Sequence, residues 1–306
     1  MTVVQAKIEA DKGWRIWWQL TRPHTLTAAF VPVSLGTALA YLEGSINWFV
    51  FISMLVASML IQAATNMFNE YFDFKRGLDH EGSVGIGGAI VRNGVKPKTV
   101  LNLAFSFFGI ATLLGLYICI QSSWWVAVIG VICMLAGYYY TGGPIPIAYT
   151  PFGEIVAGFF MGTVIIVLSF FIQTGNVSTE AFIISIPIAI LVGNILLANN
   201  IRDLDGDKEN GRKTLAILVG RTNAIRVLAA FFGLAYASLI FFILFNSFSL
   251  WVLLPLASIP IAVKATKGFI GKSVPLEMYP AMKATAQTNT IFGLLLTIAL
   301  LLQAFL

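Results

Sequence analysis

Nine long apolar runs, at roughly 25–43, 48–68, 100–120, 124–142, 152–173, 182–200, 223–245, 249–264 and 285–306, limit what this chain can become. Most come close to the ~20 apolar residues that a helix needs to cross a bilayer core. The expected fold is all-α: a polytopic membrane bundle of about nine transmembrane helices forming one integral-membrane domain over 1–306. The eighth run is short and reads as tilted, interfacial or packed under its neighbours. Composition agrees, with 11% charged residues against about 25% in soluble domains.

The basic residues set an orientation. All 19 Lys and Arg fall in the N-terminal arm (1–22) or in the segments after runs 2, 6 and 8. The opposite turns, around 43–47, 121–123, 174–181 and 246–248, carry none. This bias predicts a cell-membrane protein with its N-terminus in the cytoplasm and, after nine spans, its C-terminus outside. The opening residues do not read as a cleavable signal. Trp14, Trp17 and Trp18 suit an interfacial anchor. Cys119 and Cys133 lie within apolar runs and are expected to pack there.

Scarce acids gather at two run ends. "NEYFDFKRGLD" (69–79) and "NNIRDLDGDKENGRKTLA" (199–216) lie in the expected cytoplasmic loops 69–98 and 199–222. With Glu81, these loops hold eight of the 14 acids. Asn69 precedes Asp73 by four residues, and Asn199 precedes Asp203 by four, with Asp207 four further on. Residues four apart share a helix face, so each set converges if its helix continues. Asp79 joins only if the helix breaks before it, and Gly77 is the natural place. The partial echo suggests an internal duplication whose halves face each other across a bundle. Crowded carboxylates beside basic residues suit Mg²⁺ bridging to substrate phosphates.

Lys75, Arg76, Arg92, Arg202, Arg212 and Lys213 are placed to grip a diphosphate. The glycine run 82–94 reads as a flexible loop or as a source of backbone N–H groups for phosphate. Tyr138, Tyr139 and Tyr140 read as interfacial aromatics, or one of them, Tyr140 foremost, turns its π face to a cation. Glu154 has no local basic partner and reads as a site residue that orients a ring hydroxyl or accepts its proton. Arg22 is a topology anchor or a ligand for a carboxylate or diphosphate. Asn199 is the site candidate, with Asn200 behind it. His24 and His80 are too few and too far apart for a metal site.

With "TRPHTLTAAFVPVSLGTALA" (21–40) and "YTGGPIPIAYTPFGE" (140–154), these motifs resemble the UbiA superfamily of intramembrane prenyltransferases, over nearly the whole chain. The likeness is closest to its 1,4-dihydroxy-2-naphthoate polyprenyltransferase branch. The resemblance implies that Asn69, Asp73, Asp79, Asp203 and Asp207 hold Mg²⁺ against a polyprenyl diphosphate. An electron-rich 1,4-dihydroxy-2-naphthoate ring then attacks the prenyl carbon and loses CO₂. The tail lies between helices and opens sideways to lipid. The catalytic candidates are Asp73, Asp203, Tyr140 and Glu154, and no nucleic-acid or obligate protein partner is expected. Two departures stand out: Glu70 follows Asn69 where Asp is commoner, and Asp79 lies six rather than four residues beyond Asp73. The rival within the class is another acceptor, such as 4-hydroxybenzoate or homogentisate. The rival outside it is a small secondary transporter, disfavoured because runs 1 to 4 carry no charge in their interiors and the acid clusters sit at the expected cytoplasmic ends.

Overall fold

The computed structural model describes residues 10–44, 46–79, 88–245 and 248–305. His80, Glu81 and residues 82–87 of the glycine run lie outside them. A surface helix α1 (Trp14–Leu20) leads into α2 (Thr27–Tyr41), α3 (Trp48–Lys75), α4 (Pro97–Gln121), α5 (Trp125–Thr141) and α6 (Gly153–Thr174). Then come α7 (Thr179–Glu209), α8 (Arg221–Phe245), α9 (Leu250–Lys267) and α10 (Pro275–Gln303). The described residues contain helices and no strands.

Among the described residues seven helices, α3, α4 and α6 to α10, are long and apolar enough to cross a membrane. The expected nine is not reached. Helices α2 and α5 have 15 and 17 residues and fall short of that length. For α2 the reason is local. Pro23 opens a separate turn, Pro23–Thr25, and Arg22 before it sits at φ +50°, so the long helix starts only at Thr27. Most of α2 is buried, so its apolar run serves the bundle core rather than lipid contact.

In lipid, helices associate through close packing and polar contacts rather than through the hydrophobic effect. Gly158 and Gly162 show this where α6 meets α7. A Cβ on Gly158 would fall 2.4 Å from the Ala189 carbonyl oxygen, and one on Gly162 would fall 2.4 Å from Ala189 Cα. The same stretch of α6, Gly158–Val164, widens into a π-helical turn. Elsewhere Asn289 Nδ2 donates to Thr27 Oγ1 (3.0 Å), tying α10 to α2, and Asn194 Nδ2 donates to the Leu228 carbonyl (3.1 Å), tying α7 to α8. Helix α3 is tied to the chain entering α2 by Asn66, which donates to the Thr21 carbonyl (2.8 Å).

Candidate active site

The two acid-bearing helices end alike. Gly77 and Gly211 take left-handed φ of +74° and +76°. Leu78 N–H reaches back to the Asp73 carbonyl (2.9 Å), and Arg212 N–H to the Asp207 carbonyl (3.0 Å). Each is the six-residue closure that a glycine permits at a helix C-terminus. Helix α3 therefore stops before Asp79, as the glycine implied. Helix α7 runs unbroken through Asn199, Asp203 and Asp207.

Arg212 joins the two ends. Its Nη2 donates to Asp73 Oδ1 (2.8 Å) and its Nη1 lies 3.1 Å from Asp207 Oδ1. Its guanidinium also stacks over the Tyr149 ring, 4.9 Å from the centroid. Arg202 clasps Asp203 with Nε and Nη2, at 2.7 and 2.5 Å. Asp205 faces elsewhere, toward Arg221 (3.0 Å).

These groups form the polar end of a cavity of about 430 Å³ bounded by α2 to α7. Asn69, Asp73, Asp79, Asn199, Asp203 and Asp207 all line it, together with Arg22, Arg92, Arg202, Arg212 and Tyr140. All five residues expected around a metal thus share one space. Lys75, Arg76, Lys213 and Glu154 do not line it. Arg76 instead braces the end of α5, donating to the Thr141 and Gly143 carbonyls. Lys213 gives its backbone N–H to the Tyr149 carbonyl (2.9 Å). Buried Glu70 accepts from the N–H groups of Gly88 (3.0 Å) and Ile90 (3.2 Å), so those two amides serve the fold rather than a phosphate.

From this polar end the cavity follows one face of α3 through Thr65, Ile61 and Ala57 to Met54. That stripe covers about 28 Å at the helical rise, close to the thickness of a bilayer core. Its far end is apolar. Leu116 and Val131 line it yet are 43% and 56% exposed, so its wall between α4 and α5 opens sideways.

Electrostatics mark the loop beyond α3. Burial, then the neighbouring charges of Asp73 and Glu70, pushes the Asp79 carboxyl up to about 7. Burial, then Arg22, Arg202 and Lys283, pushes His24 down to about 3, so its imidazole is neutral at physiological pH. Burial opposes the charge of Arg212, but Asp73 and Asp207 outweigh it and hold the guanidinium above its usual range. Arg22 lines the cavity with a buried Nε that has no partner among the described residues.

Among the described residues, no group of three acids, histidines or cysteines forms a ready cage for an ion. The donor set still fits a hard divalent cation. It offers carboxylate and amide oxygens from two helix ends, and Asp79 is raised by burial and then by the neighbouring carboxylates, whose repulsion a cation would offset.

Sequence reading missed two polar partners. Thr141 Oγ1 donates to Asn69 Oδ1 (2.7 Å), and Asn200 Nδ2 donates to Glu154 Oε1 (2.9 Å). A usable signal lay in α3, where Gln62, Asn66, Asn69 and Asp73 recur at helical spacing on one face of an otherwise apolar segment.

Such a helical bundle, with its charged site over an apolar channel, has the form of an intramembrane enzyme. The description of the UbiA prenyltransferase family matches residues 29–270, and the chain belongs to that family. It is 56% identical over 301 residues to the 1,4-dihydroxy-2-naphthoate octaprenyltransferase of Bacillus subtilis (strain 168), covering 98% of this chain and 97% of that one. Its fold matches an apo UbiA homologue from Aeropyrum pernix K1 (TM-score 0.68, 14% identity, 92% of this chain and 98% of that one). It also matches a UbiA homologue from Archaeoglobus fulgidus bound to GPP and Mg²⁺ (TM-score 0.64, 13% identity, 92% and 99%).

Proposed function

We propose that the protein transfers a polyprenyl group from polyprenyl diphosphate to 1,4-dihydroxy-2-naphthoate, releasing diphosphate and CO₂ and giving a demethylmenaquinol. The observation that carries this reading is the single cavity joining five acid or amide ligands and four arginines to an apolar channel of bilayer length. An anionic head with a long hydrocarbon tail fits both halves. The relative that is 56% identical bears the name of a naphthoate octaprenyltransferase, which favours this acceptor over 4-hydroxybenzoate or homogentisate.

In this reading Asn69, Asp73, Asp79, Asp203 and Asp207 hold Mg²⁺, whose chemistry when bound is to neutralise the diphosphate leaving group. Arg22, Arg92 and Arg202 bind the phosphate oxygens or the acceptor carboxylate. The C1–O bond of the donor breaks with its electron pair going to diphosphate. Tyr140 turns its ring toward the allylic cation character left at C1. The ring carbon that carries the carboxylate bonds to C1, and loss of CO₂ returns the electrons to the ring. The tail runs along the α3 stripe, and longer tails leave between α4 and α5. We place the charged end at the cytoplasmic face on the basic-residue bias.

The test supplies purified protein with Mg²⁺, farnesyl diphosphate and carboxyl-labelled 1,4-dihydroxy-2-naphthoate or 4-hydroxybenzoate. Label released as CO₂ with a prenylated naphthoquinol is the expected result. A prenylated benzoate that keeps its label overturns the acceptor. No product from any aromatic acceptor, with short or long donors, overturns the activity.

A further inference from the structure

Glu154 is the one catalytic candidate that does not line the cavity. It sits in the first turn of α6 and is 3% exposed. Its Oε1 accepts from Asn200 Nδ2 at 2.9 Å, while its Oε2 is buried with no partner among the described residues. Buried carboxylate oxygens without partners are costly and rarely kept without a use. Asn200, by contrast, lines the cavity beside Asn199 and Asp203. Tyr140 meets the same turn: a Cβ on Gly153 would lie 3.2 Å from its hydroxyl.

A carboxylate can only accept hydrogen bonds. It therefore draws the NH₂ edge of the Asn200 amide toward itself and turns the Oδ1 edge away. Without Glu154 the amide is free to flip and to offer either edge. The proposed chemistry also leaves little for a base at this position. Bond formation at a ring carbon bearing a carboxylate expels CO₂, so no ring proton has to leave.

We propose that Glu154 is a positioning residue acting through Asn200, fixing the amide so that its Oδ1 accepts a hydrogen bond from a hydroxyl of the acceptor ring. This rests on the aromatic acceptor proposed above. It gives the site a preference for hydroxylated rings. It also strengthens the ring as a nucleophile, because an accepted O–H bond leaves more electron density on the ring oxygen.

The experiment is a double-mutant cycle with Glu154→Leu, Asn200→Ala and their combination, plus Glu154→Gln, each assayed for acceptor KM, donor KM, kcat and its pH profile. Each single change should raise acceptor KM about tenfold, the loss expected for one hydrogen bond, and leave donor KM unmoved. The combination should be no worse than either alone. Glu154→Gln, whose amide oxygen still accepts from Asn200, should recover most of that loss with the wild-type pH profile. If Glu154→Gln is as poor as Glu154→Leu and the acidic limb of the profile disappears, Glu154 is a base and the proposal fails. Additive single effects, or a lowered melting temperature with unchanged KM values, overturn it as well. Should Glu154→Leu not fold, Glu154→Gln and Asn200→Ala decide the matter alone. Wild-type protein without product would instead condemn the functional reading, not this inference.

Discussion

The ends of α3 and α7 are built to one plan and finished with opposite charge. Both helices close on an aspartate carbonyl through a left-handed glycine, Asp73 with Gly77 and Asp207 with Gly211. Beyond the glycine, α3 returns an acid, Asp79, to the cavity, whereas α7 returns a cation, Arg212. Similar backbone chemistry thus adds a further carboxylate at one end and a guanidinium at the other. Arg212 stands between the carboxylates of both ends, where a bound cation and its diphosphate would also find their charge partners.

The largest effect should come from removing a charge on either side. Asp73→Asn or Asp203→Asn should lower turnover at least a hundredfold while the protein stays folded in the membrane, checked by product formation and melting temperature. Full activity in both variants would sink the metal assignment. Arg212→Ala should come next. It leaves Asp73 and Asp207 facing each other without their shared partner, and truncating one side of a buried ion pair costs about 3–5 kcal/mol. Its melting temperature should fall in EDTA and recover with Mg²⁺ more than that of wild type. Equal Mg²⁺ responses would separate Arg212 from the metal region.

Asp79→Asn tests the acid that α7 lacks at the matching position, and its effect on turnover should be smaller than that of Asp73→Asn. Its folded pKa of about 7 lies above the ordinary 3.8. Ionising it therefore costs the fold stability as pH rises from about 4 to about 7. In EDTA, melting curves of Asp79→Asn should lack that decline. The smallest effects belong to Gly77→Ala and Gly211→Ala, each expected to cost about 1–2 kcal/mol at a left-handed position. Of the two, Gly211→Ala should reduce turnover more, because the residue it positions next is Arg212.

Much of this architecture was legible in residue order. Apolar run length announced a membrane bundle, and helical spacing put Asn199, Asp203 and Asp207 on one face. Gly77 announced the break that frees Asp79. The register of the echo was not legible. Matching Asn69–Asp73 with Asn199–Asp203 follows residue identity, but the helix ends pair Asp73 with Asp207, because backbone closure depends on where glycine follows, not on where asparagine precedes. The basic residues were legible only as a group. Arg76 and Lys213 have the same charge as Arg202 and also lie within a few residues of the acids, yet the Arg76 guanidinium meets backbone carbonyls and neither residue lines the cavity.

The sequence by itself determined the membrane class, the helical periodicity and the two acid-rich ends, since these depend on hydropathy and local geometry. Only the tertiary structure decided that Arg212 meets Asp73, 139 positions away, and that Glu154 stands behind Asn200. It alone also decided that the cavity runs the length of α3. Those arrangements arise from how helices pack and which side chains then share a low-dielectric space, and no local pattern along the chain encodes such a meeting.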